Sequence, residues 1–330
     1  MTRVAENGLA RSIISDIRKA RVAVDTYSNQ VSSGYKVTKP GDSDVAGSIS
    51  SFRDSIARIE GYKTRIATVQ SSLAFQDDLL KQVDGLVTRA RELATQAANE
   101  PNSSTTRASM ANEVFALRDQ LVVLANTRDS TGYIFAGADN DDPPYDQVGN
   151  YAAPATGLAA ARYRFDGEPG TQQQRTTAVT DDISITVNTP GNQLFDNALY
   201  ALERLGRAMA GFTTPVDGSG VPDGTGAAYN FPTDFQQQTR DIQTSLDDLI
   251  VASRDDILPE RVSLGARLSR LEAAQSIIEV NKANAEEVLG KLQNSDSVEA
   301  ISNLTLAQNA LEASLQVTVR VLRQSILDFL

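Results

Sequence analysis

The sequence predicts a mainly α protein in which a coiled-coil bundle of long helices carries a small inserted domain that contains β-strands. Apolar residues recur at steps of three and four through both outer parts of the 330-residue chain, which is the spacing of one buried helix face. Residues 145–235 instead combine short alternating segments with Gly- and Pro-containing turns, which is typical of strands. The expected divisions are 43–144 and 236–292 for the bundle, 145–235 for the insert, and 1–42 and 293–330 for terminal assembly helices.

The first long helix is expected to begin after Pro40 and Gly41, with Asp42 or Ser43 as its N-cap, and to end at Asn99. Its apolar seam is interrupted by one polar residue, Gln76. The seam comprises Ile49, Phe52, Ile56, Ile59, Tyr62, Ile66, Val69, Leu73, Leu80, Val83, Val87, Ala90, Ala94 and Ala97. A face this narrow and this long is typical of a helix that packs against another long helix.

Two further helices complete the predicted bundle. The second has its seam at Met110, Val114, Leu117, Leu121 and Leu124, and it is expected to stop near Gly132. A third pattern begins near Phe235, and Pro259 predicts a kink or a helix restart within it. Its seam residues are Ile242, Leu246, Leu249, Leu264, Leu268, Leu271, Ile278, Ala285, Leu289 and Leu292. The third helix matches the first in extent, so we expect the two to pair along their whole length.

Both ends of the chain carry amphipathic helical patterns that a lone two-helix pair would not bury fully. Ordering roughly 60 residues costs on the order of 1–2 kcal/mol per residue in backbone entropy. We therefore expect the ends to be poorly ordered in the free monomer and to order by packing against copies of the chain or against its relatives. The predicted assembly interface comprises Ile14, Ile17, Val24, Tyr27, Val31, Ile301, Leu304, Leu311, Leu315, Leu322, Ile326, Phe329 and Leu330.

The insert is expected to contain strands, one short helix and one long loop. Tyr163–Phe165 and Ile183–Val187 alternate as strands do. Phe195–Met209 has the spacing of a short helix. Gly211–Pro232 is rich in Gly, Pro, Thr and Asp, which predicts a long loop or a mobile connection.

The composition excludes most familiar site chemistry. The sequence has no His and no Cys, so it cannot form a Ser-His or Cys-His nucleophile pair, a disulfide, or a His or Cys metal site. Its net charge of −11 argues against a nucleic-acid or anionic-membrane binder, and no apolar stretch is long enough to span a membrane. Segments 33–36, 139–142 and 218–226 match catalytic, calcium and phosphate motifs only in part, so turns and solvated loops are favoured. We expect no enzyme activity, no cofactor and no metal.

Four motifs, in order along the chain, resemble those of the bacterial flagellins and their junction relatives. Gln30–Asp42 resembles the Ser-Ser-Gly turn of the family, although Lys36 stands where Arg is usual. Segments 89–99, 264–272 and 300–315 resemble its R-x-R-E-L-A-x-Q-A-A-N, L-G-A-R-x-x-R-L-E and C-terminal helix patterns. The matched positions in the turn are Ser33, Gly34, Pro40 and Asp42, and those in the first bundle motif are Arg89, Arg91, Glu92, Leu93 and Asn99.

A further segment favours the junction members over the filament flagellins. Residues 126–137 resemble the N-T-[KR]-D-x-x-G-x-[YF]-[IL]-F-[AS]-G of the junction members, with Asn126, Gly132, Phe135 and Gly137 in place. Filament flagellins usually carry F-N-G-x-x-L-L there. The last six residues, Ser325–Leu330, also resemble the ending of the junction type.

This resemblance implies a role and a set of partners. In the family, the terminal helices form the inner tube of a tubular assembly, the bundle forms the next shell, and the insert faces outward. A junction member connects the hook, through the first hook-associated protein, to the flagellin filament, and it packs against copies of itself. It is exported by the flagellar type III apparatus with the help of an export chaperone and without a cleaved signal peptide. The implied location is extracellular, at the hook–filament junction of the bacterial flagellum.

Two alternatives stay open. The first is a filament flagellin, against which the segment 133–137 argues. The second is a secreted coiled-coil adhesin or effector whose insert binds a host ligand. The presence of the protein on cells that lack hooks would distinguish this second alternative.

Overall fold

The computed structural model describes residues 2–37, 45–99, 104–138, 140–151, 160–167 and 172–327. The chain divides into two compact units. The first unit comprises residues 1–61 and 276–330, and the second comprises residues 62–275. The three-part division expected from the sequence stays a prediction.

Most of the described residues are helical, as the sequence predicts. The helices are α1 (Thr2–Ser33), α2 (Ala46–Asn99), α3 (Ser104–Ala125), α4 (Asn192–Ala210), α5 (Phe235–Val251), a π-helical segment (Ala252–Ile257), α6 (Leu258–Gln293) and α7 (Ser297–Leu327). The expected N-cap at Asp42 or Ser43 lies outside the described residues. No described helix is apolar over enough of its length to cross a lipid bilayer.

The predicted seam of α2 is the buried face of the helix. Ile66, Leu73, Leu80 and Val87 are all fully buried. Gln76, the one polar residue in the series, is also buried, and its amide donates a 2.7 Å hydrogen bond to the carbonyl oxygen of Val187. The bond satisfies a group that would otherwise be costly to bury.

Helix α2 pairs with the third long helix in each of the two units, and whole-length pairing stays a prediction. Within the second unit the two run antiparallel, because the residue numbers of the partners fall as those of α2 rise. In the first unit the pair is Glu60 with Lys282. In the second unit the pairs are Asp77 with Arg261 of α6 at 3.0 Å and Asp84 with Ser253 of the π-helical segment at 2.7 Å.

Helix α3 ends earlier than predicted, at Ala125 rather than near Gly132. The next residues form a two-stranded hairpin of β1 (Arg128–Asp129) and β2 (Gly132–Tyr133). The carboxylate of Asp129 accepts a 2.6 Å bond from the backbone N–H of Thr131, and Gly132 adopts a φ of 129°. These local bonds offer the backbone an alternative to the helix, which the apolar spacing did not reveal.

The interruption predicted at Pro259 is confirmed, but it takes the form of a π-helical segment immediately before the proline. Leu258 donates its backbone N–H to the carbonyl oxygen of Ser253, five residues earlier. Pro259 has no N–H to donate, so the hydrogen-bond ladder is incomplete at this point in any case. Helix α6 then continues to Gln293.

The strands of the insert form small antiparallel pairs. They are β3 (Tyr145–Asn150) with β4 (Ala161–Phe165), and β5 (Thr176–Ala178) with β6 (Ser184–Thr186). The predicted short helix is α4, and its apolar face is fully buried at Phe195, Leu199 and Leu202. The long loop predicted at 211–232 is tied to strand β4, because Arg162 and Arg164 both donate to the carbonyl oxygen of Pro222, at 3.1 and 2.6 Å.

Candidate assembly surface

The first unit is built on an antiparallel contact between α1 and α7, the two terminal helices. The contact is fixed where α1 ends and α7 is about to begin. Lys36 donates its backbone N–H to Gln293 at 2.6 Å, and Ser295 donates to Gly34 at 2.9 Å. Gly34 closes helix α1 with a φ of +73° and donates to the carbonyl oxygen of Gln30, which is the usual left-handed ending of a helix.

The two helices meet along stripes with steps of three and four. On α7 the stripe consists of small or medium side chains that are buried or half-buried: Ala300, Leu304, Ala307, Leu311, Ser314, Thr318 and Val321. Among the described side chains of α1, the half-buried ones are Ile13, Ile17, Ala20, Ala23, Val24, Tyr27 and Gln30. This spacing is that of a short coiled coil.

Helix α7 carries two more apolar stripes, one on each side of the face that contacts α1. At about 100° per residue, Ile301, Leu315 and Val319 fall on one flank, and Leu306, Ala310, Ala313 and Val317 fall on the other. The polar exceptions are Gln308 on the first flank and Asn303 at the border of the second. The exposed fractions are 53% for Ile301, 63% for Leu306, 47% for Leu315, 52% for Val317 and 51% for Val319. The far side is polar at Ser302, Thr305, Asn309, Glu312, Gln316 and Arg320.

The apolar part of α7 therefore covers roughly two thirds of its circumference, whereas a helix with one packing partner needs an apolar face of about 100°. Helix α1 covers only the middle of this arc. The arrangement leaves two surfaces that further helices can cover, one on each side of the pair. Burying each exposed large side chain would contribute on the order of 1 kcal/mol or more.

The structure places the predicted interface residues in three groups. Ile17, Val24, Tyr27, Leu304 and Leu311 are half-buried in the α1–α7 contact, and Ile14, Val31, Ile301 and Leu315 are exposed. The side chains of Leu322 and Ile326, and the residues Phe329 and Leu330, lie outside the described part. Prediction from the sequence omitted Ile13 and Leu306, because Ile13 adjoins Ile14 and Leu306 belongs to a flank that the single stripe did not include.

The described residues of the family-motif turn, Ser33 and Gly34, lie at the end of α1. The hydroxyl of Ser33 donates a 2.6 Å bond to the carbonyl oxygen of Asn29, and Gly34 supplies the positive φ. Pro40 and Asp42 lie outside the described residues. The turn thus holds the end of α1 against the start of α7.

The first bundle motif joins α2 to α3 and borders a groove. Arg89 bonds Glu92 at 2.9 Å and reaches Glu113 of α3 at 2.7 Å. Leu93 is buried. Arg91, Glu92 and Asn99 border an open groove of about 680 Å³ between α2 and the side chains of Leu246 and Ile250 in α5.

The second bundle motif fixes the insert to the bundle. The side-chain amide of Asn126 both donates to and accepts from the backbone of Tyr145, at 2.8 and 2.9 Å. Phe135 packs edge-on against Phe195 of α4, with 4.9 Å between the ring centroids. The backbone carbonyl of Gly137 accepts a 2.9 Å bond from the fully buried Asn188, and Gly132 forms the hairpin. The motif is thus a structural connector. Asn188 and Tyr145 could not be found from sequence spacing, because their contacts are long-range.

A buried polar network holds the insert together. The fully buried carboxylate of Glu203 accepts bonds from Tyr151, Arg164 and the backbone of Tyr163, at 2.6, 3.0 and 3.1 Å. Burial, followed by the nearby Glu203 charge, raises the pKa of Tyr151 above its ordinary value. Arg118 is fully buried and pairs with Asp119 at 2.7 Å. Through the bonds of Glu203 to Tyr163 and Arg164, the network joins helix α4 to strand β4.

One carboxylate near this network has a pKa close to neutrality. Asp196 of α4 accepts bonds from the hydroxyls of Tyr145 at 2.6 Å and Tyr200 at 3.2 Å. Burial raises its pKa from 3.8 to about 6, even though both tyrosine bonds favour the charged form. Asp256 of the π segment adds repulsion in the same direction. Among the described residues, no group of three or more carboxylates is arranged to hold a metal ion.

Two family regions match the sequence. The N-terminal helical region of bacterial flagellin matches residues 4–140, and its C-terminal helical region matches residues 248–330. The chain belongs to the bacterial flagellin family. The unmatched part of this flagellin-family chain contains β3–β6 and α4, which are the elements of the insert.

Among the curated relatives of this flagellin-family chain are two flagellar hook-associated proteins 3. The protein from Escherichia coli is 28% identical over 296 residues, which cover 87% of each chain. The protein from Salmonella typhimurium is 27% identical over 325 residues, which cover 94% of each chain.

Solved structures share the fold. FlgL of Xanthomonas campestris is similar with a TM-score of 0.55 and 19% identity, over 72% of this chain and 99% of that one. The flagellar hook-associated protein 3 of Legionella pneumophila has a TM-score of 0.52 and 19% identity, over 74% and 98%. The solved structures confirm the expected flagellin-like fold. The curated relatives, together with the two family regions, confirm the junction branch of the family and a structural role in the flagellum.

Proposed function

We propose that this chain is a structural subunit at the junction between the flagellar hook and the flagellin filament. Its likeness to hook-associated proteins 3 extends over nearly the whole chain. The observation that carries the proposal is the apolar surface left on both sides of α7 once α1 has packed against it. A subunit built in this way exposes apolar surface to water when it is alone, and packing between neighbouring subunits would bury that surface.

In this proposal, assembly and the ordering of the terminal helices are one event. The flanks of α7 would pack against the terminal helices of adjacent copies, and of hook-side and filament-side proteins of the same family. The energy released by burying these flanks would offset the entropy lost when the ends become ordered. The contacts between copies would be heterologous, because a two-fold contact would close a dimer and end the lattice.

The proposed partners are the first hook-associated protein, flagellin and other copies of this chain. We also propose that an export chaperone covers the C-terminal helix before export through the type III apparatus, without cleavage of a signal peptide. The mature location would be extracellular. The chain would have no catalytic role, which is consistent with a buried polar network whose members bond one another.

Immunogold electron microscopy of detached flagella would test the proposal, with antibody raised against residues 145–235. We expect one cluster of gold where the hook meets the filament. Label along the whole filament would make the chain a filament flagellin instead. Absence of label from flagella, with label on the surface of cells that lack hooks, would favour the adhesin or effector.

A further inference from the structure

The π-helical segment Ala252–Ile257 lies where the spacing of buried residues changes. In α5 the buried Ile242 and Leu249 are seven residues apart. From Ile257, the last residue of the π-helical segment, to Leu264 and Leu271 of α6 the buried residues are again seven apart. From Leu249 to Ile257, however, the step is eight. The continuous helix therefore contains one residue more than its buried seam requires.

An ordinary α-helix cannot absorb this residue without losing its core. Because the seam repeats every seven residues, the helix keeps it on one side by following a supercoil of about 3.5 residues per turn. In that frame, a step of eight would turn Ile257 and the seam after it by about 100° from the direction of Leu249. In a π turn each residue contributes a smaller rotation, because the hydrogen bond closes over five residues. The bond from Leu258 to Ser253 is of this kind. Both seams consequently face the same core.

The same turn contacts helices on two sides. The hydroxyl of Ser253 donates a 2.7 Å bond to Asp84 of α2. Three residues later, the carboxylate of Asp256 accepts a 2.9 Å bond from Asn197 of α4. Between them, Arg254 and Asp255 pair with each other and are exposed. The surplus residue can therefore be assigned to the exposed side of the turn, where it makes no contact with the core.

We propose that Ala252–Ile257 is a register joint, in which one surplus residue is stored as a π turn. The surplus residue, and not Pro259, is the cause of the turn. The joint lets the buried residues of α5 and α6 face the same core, although the heptad pattern of α6 is shifted by one residue relative to that of α5. It is also the weak point of the hydrogen-bond ladder in this helix and the place where the helix opens first.

Deletion of Asp255 tests the joint in the full-length chain. The deletion makes the step from Leu249 to Ile257 equal to seven, so a plain α-helix serves both seams. We expect the denaturation midpoint to be maintained, and amide hydrogen exchange at 252–258 to slow by about tenfold or more as the ladder closes. The matched control is deletion of the exposed Ser269 in α6, which takes Leu271 and Ile278 out of line with Leu264. The control should lower the midpoint sharply.

Two results would overturn the inference. One is a loss of stability on deletion of Asp255 as large as that on deletion of Ser269. The other concerns the substitution Pro259→Ala, which leaves the surplus residue in place and which we expect to leave exchange at 252–258 within about twofold of the original. If Pro259→Ala alone slows this exchange by about tenfold, the proline is the cause of the turn.

Discussion

At the scale of single residues, Gly34 ends helix α1 and joins it to the segment before α7. It is the only residue between α1 and residue 37 with a positive φ, and a side chain there would meet no neighbouring atom. Any cost of replacing it therefore comes from the backbone and not from a clash. The bonds of Gly34 and Lys36 to the segment before α7 depend on this conformation.

Substitution of Gly34 by Ala should destabilise the first unit by about 1 kcal/mol, because an L-residue is strained at positive φ. The matched control is Gly61→Ala in the middle of α2, where there is also open space but φ is not positive. That change should stabilise by up to about 1 kcal/mol. Chemical denaturation of both variants would measure the two effects, and equal signs would contradict the role assigned to Gly34.

The buried environment of Asp196 raises the pKa of its carboxyl group above the ordinary value for aspartate. Its folded pKa of about 6 lies above the ordinary 3.8, so the folded chain holds this proton more tightly than the unfolded chain does. The protonated carboxyl thus stabilises the fold at low pH. This contribution is lost as pH rises through the interval from 3.8 to about 6.

Substitution of Asp196 by Asn should remove that loss. Between pH 4 and pH 7, the free energy of unfolding of the original chain should fall relative to that of the variant, by at most about 3 kcal/mol. Urea denaturation at a series of pH values would measure the difference. Asp255→Asn is the control, because Asp255 is exposed and its pKa is lowered by Arg254. Parallel pH profiles for Asp196→Asn and the original chain would refute this assignment.

At the scale of elements, helix α7 is defined by the width of its apolar arc. The periodicity predicts one stripe, which Val317, Val319, Val321 and Ile326 widen. Apart from Val317, its described members correspond to the α1 contact and one flank. The second flank combines Leu306 and Val317 with two alanines, and such a pattern is weak in sequence because alanine is common on any helix face. Only the position of α1 shows which stripes remain uncovered.

Charges on the second flank should block assembly without unfolding the monomer. Leu306→Asp and Val317→Asp change exposed side chains outside the α1 contact. The free energy of unfolding should therefore stay within about 0.5 kcal/mol of the original value. Incorporation into flagella should fall by more than tenfold, since the charge would be buried between subunits.

Asn309→Asp introduces the same charge on the polar side of α7 and is the matched control. Incorporation can be measured by quantitative blotting of detached flagella. Normal incorporation of Leu306→Asp and Val317→Asp would mean that this flank faces solvent in the assembly.

Some helix ends can be predicted from local sequence signals, whereas others depend on contacts between distant residues. The start of α5 at Phe235 and the end of α2 at Asn99 agree with the sequence prediction, because local signals mark both. The end of α3 was placed seven residues too late. There the deciding contacts are the Asn126 amide on the backbone of Tyr145 and the hairpin that follows, and the first of these joins residues 19 positions apart.

At the scale of the whole molecule, the chain contains two kinds of interior. The long helices are held by apolar seams whose members are close in sequence. The insert is held by buried charges and amides, such as Glu203 with Arg164 and Asn188 with Gly137. Whether the terminal helices are ordered in the free monomer stays a prediction, and so do the individual interface residues.

The sequence alone determined the fold class, the long helices and their buried faces, and the family. Each of these depends on local periodicity or on contiguous motifs, which remain visible in one dimension. Only the tertiary structure decided where α3 stops, how Gln76 and Glu203 are satisfied, which flanks of α7 are left uncovered, and that the helix before Pro259 contains a π turn. These features depend on which distant groups come within bonding distance, and that is fixed only when the chain has packed.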